Sequence, residues 1–312
     1  MQNEIFMTLL ASLVALLVCI TAGYIGRKKG IITDTLNTGM SDILLKISLP
    51  CLIFVSMMRP FSPTLLLESI ATFFISGTVF LFGCLLGFLF TKAMNPKEGE
   101  GPVWQFSLTF PNAAFMGFPI IHALYGYEGM IFATMLSAAF NVLVFSLGVY
   151  LFERGKKVDW KAVTLTPTFI ATYLGILFFV TGLRLPIQVQ DGIGVIGNMS
   201  LPLSMMLVGS ILAKEKLEEM FNDVKVVPII LTRLLVIPII AFFILRTFVH
   251  NIVMLEVVVI LVAMPAATMA AIFADQYNGN TTTASKIVAL SSILSVVSIP
   301  AVTVLISLFR IY

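Results

Sequence analysis

The chain has 312 residues, of which 59% are hydrophobic and only 11% charged, with a formal net charge of +3. A soluble domain of this length carries roughly 25% charged residues because its surface must face water, so most of this surface faces something apolar. So small a net charge gives no footing for a nucleic-acid partner, and the lipid bilayer is the expected one.

A spanning helix takes about 20 mostly apolar residues, and the pattern predicts ten of them. The first segment, 4–26, has Glu4 before its apolar run and Arg27-Lys28-Lys29 after it. A cleaved signal has the reverse polarity, so this is read as a span. The second, 38–58, contains Asp42, Lys46 and the tripeptide Ser48-Leu49-Pro50. Lys46 invites a role as counter-charge, but Asp42 four residues earlier makes a solvated helix pair the simpler reading. The third, 64–92, is free of charge from Glu68 to Lys92. Cys19, Cys51 and Cys84 lie in these first three segments without metal-ligand spacing, and read as small packing residues.

The fourth segment, 102–125, carries Pro111, Asn112, Gly117 and Pro119 close together, then His122. Proline within a helix removes a backbone hydrogen bond and clashes with the preceding turn. The cluster therefore predicts a real break. The fifth, 129–153, holds Asn141, and the sixth is 163–183. The seventh, 192–213, contains a second Ser-Leu-Pro at Ser200-Leu201-Pro202. The eighth, 225–247, has Arg233 about two turns from its end, where snorkelling accounts for it as well as function does. The ninth, 252–276, has Pro265 and Thr268 mid-span, consistent either with a break or with a kinked continuous helix. The tenth is 284–310.

With the N-terminus outside, the cytoplasmic loops receive 13 Lys and Arg and the external side four, with Lys46 and Arg233 inside helices. Short cytoplasmic loops are expected to hold such an excess. Both termini then lie outside, in a multi-pass protein of the plasma (bacterial inner) membrane. The two Ser-Leu-Pro tripeptides are offset by five spans, an odd number. The expected architecture is an all-α membrane protein of two inverted five-helix repeats, 1–155 and 156–312, the plan of many secondary transporters.

The run Asn112 to Pro119 resembles the Asn-x-x-x-Met-Gly-x-Pro motif of the auxin efflux carrier family, which includes plant auxin exporters and bacterial malonate or malate permeases. Met264-Pro265 followed by Phe273-Ala274-Asp275-Gln276-Tyr277-Asn278 is similar to that family's ninth helix, and Phe152-Glu153-Arg154 and Arg233 before Pro238 also fit. The resemblance covers nearly the whole chain. It implies export or exchange of organic anions, with the substrate carboxylate at a crossing of broken helices 4 and 9. Plant members carry a proline late in the ninth-helix break, where this chain has Ala270. The long cytoplasmic loop of many plant members is absent between Glu153 and Lys161, which makes this a bacterial-type permease pattern.

Half-helix N-termini near the midplane offer unpaired N–H groups to an anion. The substrate-binding candidates are Asn112 with the backbone from Gly117 to Pro119, then Ser48, Ser200, Asn141, Pro265 and Thr268, with Ser204 on the same polar faces. Lys46, His122 and Arg233 are candidates for charge or coupling; a lone histidine such as His122 is more often structural, though it titrates near neutral pH. Glu68, Glu256 and Asp275 are expected at helix ends within reach of water. With no acid in mid-span, sodium coupling through carboxylates is disfavoured, and proton symport, a cation site of carbonyls and amides, exchange and membrane potential all stay open. No catalytic residue, metal or cofactor is expected: two histidines without HExxH or an acidic dyad make no enzyme site. The partners expected are a small organic anion, the bilayer, a coupling proton or sodium ion and, as one option, a second copy in a homodimer. A sensor on the same scaffold and an anion channel are the alternatives to a carrier.

Overall fold

The computed structural model describes residues 17–152, 164–214 and 225–309. Among them the secondary structure is helical apart from one isolated β-bridge. The helices are α1 (17–28), α2 (Asp34–Ser56), α3 (Pro63–Met94), α4 (Glu100–Thr109), α5 (Ala113–Phe152), α6 (Pro167–Thr181), α7 (Ile187–Asn198), α8 (Ser200–Lys214), α9 (Val226–Leu245), α10 (Ile252–Val262), α11 (Met269–Gln276) and α12 (Thr281–Leu308). Six runs are long and apolar enough to cross a bilayer, namely α2, α3, α5, Ile187–Ile211 across α7 and α8, α9, and α12 up to Ile306. The protein is therefore an all-α, multi-pass membrane protein. Glu4, Glu153, Arg154, Lys156, Lys157, Lys161, Lys216, Arg310 and the expected repeat boundary at 155/156 lie outside the described residues.

Helix ends follow local chemistry. The second span begins at Asp34, before the expected 38, because the Thr33 hydroxyl accepts the Leu36 N–H at 3.2 Å and so caps a polar first turn. Asp34 then pairs with Arg27 at 2.7 Å. Between the expected fourth and fifth segments the helical run is interrupted only at Gly126 (φ 57, ψ −149), a conformation open to a residue without Cβ. Three wide π turns, Leu44–Ser48, Ala113–Gly117 and Thr232–Val236, each precede a proline by two residues: Pro50, Pro119 and Pro238. In the first and third, the N–H of Leu49 or Ile237 reaches back five residues, to the carbonyl of Leu44 or Thr232. The wider turn eases the clash between the proline ring and the turn before it, so the helix bends instead of ending.

The chain forms two compact units. The first comprises residues 1–71, 114–135 and 164–214. Its helices touch through glycine: a Cβ on Gly23 would collide with the Met206 carbonyl oxygen, and one on Gly209 with that of Ile20. So α1 and α8 pack backbone against backbone, the contact that small residues permit in membranes. Gly197 makes a similar approach to Leu52. The second unit comprises residues 72–113, 136–163 and 215–312. Here Gly83 and Gly87 of α3, four residues apart, lie against Leu108 and Gln105 of α4. Phe80, Phe110 and Phe140 form an aromatic cluster that continues through Phe106 to Phe273 and Tyr277. The α10 side chains from Met254 to Val262 are buried on every side.

Candidate functional site

Two prolines set the local geometry. Each disfavours helix for the residue before it, so α4 ends at Thr109 ahead of Pro111 and α10 ends at Val262 ahead of Pro265. Phe110 is extended (φ −107, ψ 117). The two unwound stretches, both in the second unit, then pair with each other. Asn112 donates its N–H to Pro265 O at 2.8 Å and Ala267 donates to Phe110 O at 3.0 Å, as an antiparallel bridge between Pro111 and Ala266. Pro111 and Ala266 sit opposite each other at the position where neither exchanges a bond with its partner. The missing N–H of Pro111 therefore leaves nothing unsatisfied, and that of Ala266 goes instead to Ser291 Oγ of α12 at 3.1 Å. Ala270 lies within α11, so the interruption from 263 to 268 exists without a proline there.

The carbonyl ends of the interrupted helices have a charged partner. Arg233, 1% exposed, donates from Nη1 to Leu108 O at 3.0 Å, from Nη2 to Val262 O at 2.8 Å and from Nε to Met264 O at 3.2 Å. It does not snorkel. The π turn that carries it belongs to a helix packed within the unit, and its guanidinium is turned inward to carbonyls that have lost their helical donors.

Around the crossing, polar groups remain unengaged. Asn112 is 4% exposed, and its side-chain amide makes no hydrogen bond among the described residues. Thr268 stands at the start of α11 with no side-chain cap bond. Among the described residues, the N–H groups of Thr268 and Met269 make no hydrogen bond outside their own helix. Asn141 is half-buried in the same unit as Asn112, and Pro265 is buried in the crossing itself.

The remaining candidates belong to the first unit. Ser48 and Ser200 are fully buried and hydrogen-bonded to each other, Oγ to Oγ, at 2.7 Å. The Ser48 hydroxyl also lies 2.8 Å from Ile196 O. The two Ser-Leu-Pro tripeptides thus meet in space. Gly117 and Pro119 are buried at the end of their π turn, and His122 is half-buried with its ring 5.0 Å from that of Tyr127. Lys46 is exposed and paired with Asp42 at 2.8 Å. One expectation is overturned: Glu256, placed by sequence at a water-accessible helix end, is 4% exposed. Asn251 caps α10 by accepting the Met254 N–H at 3.1 Å, and the helix is enclosed from its third residue onward. Ser291 is the residue sequence reasoning missed; the only signal was a group of serines, Ser291, Ser292 and Ser295, in an otherwise apolar span.

The family described as "Membrane transport protein" matches residues 8–162 and 155–303. An uncharacterized transporter of Methanothermobacter thermautotrophicus is 26% identical over 307 residues, covering 95% of this chain and 98% of that protein. The uncharacterized transporter YfdV of Escherichia coli K12 is 21% identical over 305 residues, covering 93% and 95%. One from Methanocaldococcus jannaschii is 24% identical over 217 residues, covering 65% and 68%.

Proposed function

Because the chain belongs to the membrane transport protein family, that of the auxin efflux carriers, and is a membrane transporter, we propose that it moves small organic carboxylates across the plasma membrane by alternating access. In this reading it is a secondary transporter of the bacterial permease type, built of ten spans with both termini outside. The substrate carboxylate lies at the crossing of the fourth and ninth segments. The observation that carries this reading is the crossing: unwound backbone within two apolar segments, beside an Asn112 amide with no hydrogen-bond partner among the described residues. Backbone irregularity at membrane depth is tolerated where it is enclosed by protein or lines a wet cavity, and helix starts there suit an anion.

The contact of Ser48 with Ser200 supports two inverted repeats, since equivalent residues meet at the axis that relates such halves. So does the composition of the units, each of which draws on both halves of the chain. In this arrangement Ser48 and Ser200 join the repeats. Asn112, Thr268 and Asn141 face the substrate. The test is uptake into proteoliposomes from a panel of mono- and dicarboxylates, with pH, sodium and voltage varied separately. Saturable, exchangeable flux is expected, and Asn112→Ala should reduce it about tenfold or more, the loss of a charge-assisted hydrogen bond. An Asn112→Ala protein that transports like the wild type would sink the assignment, and unsaturable current would replace the carrier with a channel.

A further inference from the structure

Arg233 is a buried cation. Its three hydrogen bonds all go to backbone carbonyls, and among the described residues it makes no ion pair. Buried charges are ordinarily paired, because removing an ion from water is expensive, and an unpaired one inside a membrane segment points to function. The carbonyls it holds are the ends of α4 and α10, each worth about half a negative charge. A single guanidinium offsets both.

We propose that Arg233 is the positioning and specificity-determining residue of the crossing: by neutralising the two carbonyl ends, it leaves the unengaged amides to set the local potential, and so makes the site select anions over neutral molecules of the same shape. This rests on the carboxylate reading above. Arg233 touches the backbone rather than the substrate, and acts through Leu108, Val262 and Met264. Without it, three inward carbonyls would lose their donor and confront a carboxylate with negative ends as well as positive ones. Lysine would keep the charge but could not reproduce the three-way fork.

The experiment compares binding of a carboxylate with that of its carboxamide to purified wild-type, Arg233→Gln and Arg233→Lys proteins, by calorimetry in detergent, using the acid that the wild type transports fastest. A ratio of affinities is unaffected by the fraction of protein that folds. The expected result is a preference for the carboxylate that falls about tenfold or more in Arg233→Gln and is held within roughly threefold in Arg233→Lys. An unchanged ratio in Arg233→Gln overturns the proposal alone. Where Arg233→Gln yields no folded protein, Arg233→Lys decides: a retained preference supports the charge, and a collapsed one rejects it. Wild-type protein that does not distinguish acid from amide overturns the carboxylate reading itself.

Discussion

Ser291 illustrates how much a single hydroxyl can hold. Its Oγ accepts the Ala266 N–H, the donor that the bridge leaves unused. Ser291→Ala should strand that buried N–H and destabilise the protein by about 1–3 kcal/mol, read as a lower thermal midpoint in detergent. Ser48 and Ser200 should behave as one group: a double-mutant cycle to alanine is expected to show coupling of roughly 0.5–1.5 kcal/mol, and strict additivity would deny the bond. Some of these roles were legible in advance. Pro111 and Pro265 announce helix ends because proline acts through local backbone geometry alone. Glu256 is misplaced by sequence, and Arg233 is left between snorkelling and function, because position along a helix does not say whether a side chain faces lipid, water or protein. That depends on neighbours remote in sequence, such as Leu108 for Arg233.

At the scale of elements, hydropathy locates helices well and their contacts poorly. The third segment looks uniformly apolar, yet one stripe of it, Gly83 and Gly87, decides where α4 lies. A Cβ on Gly83 would stand 2.8 Å from Leu108 O, an acceptor of Arg233. Gly83→Val should therefore cost about 1–3 kcal/mol through overpacking and also weaken transport, because it displaces the last turn of α4. Gly77→Val is the control on the same helix, since nothing lies within 4 Å of its added Cβ, and it should leave both measurements near wild type. The π turns were not legible as such. Pro50, Pro119 and Pro238 signal distortion, but whether a helix breaks or widens depends on the packing that encloses it.

For the whole molecule, the bias of Lys and Arg among the loops implies a direction of insertion. Lys97→Cys should react with a membrane-impermeant maleimide only when cells are opened, and Arg184→Cys in intact cells. The reverse pattern would invert the topology while leaving the crossing intact. The all-α, membrane-spanning class came from long-range absence of charge, a signal that survives any error in local boundaries. The composition of the two compact units did not, because each gathers stretches that are scattered along the chain. Within the first unit, the bare-backbone seam of Gly23 against Met206 and Gly209 against Ile20 has a mechanical meaning. At such separations neither an acyl tail nor a water molecule can wedge between α1 and α8, so thermal agitation of the surrounding lipid has no purchase there. That pair travels as a single stiff strut, and whatever flexing transport needs must be found at other joints.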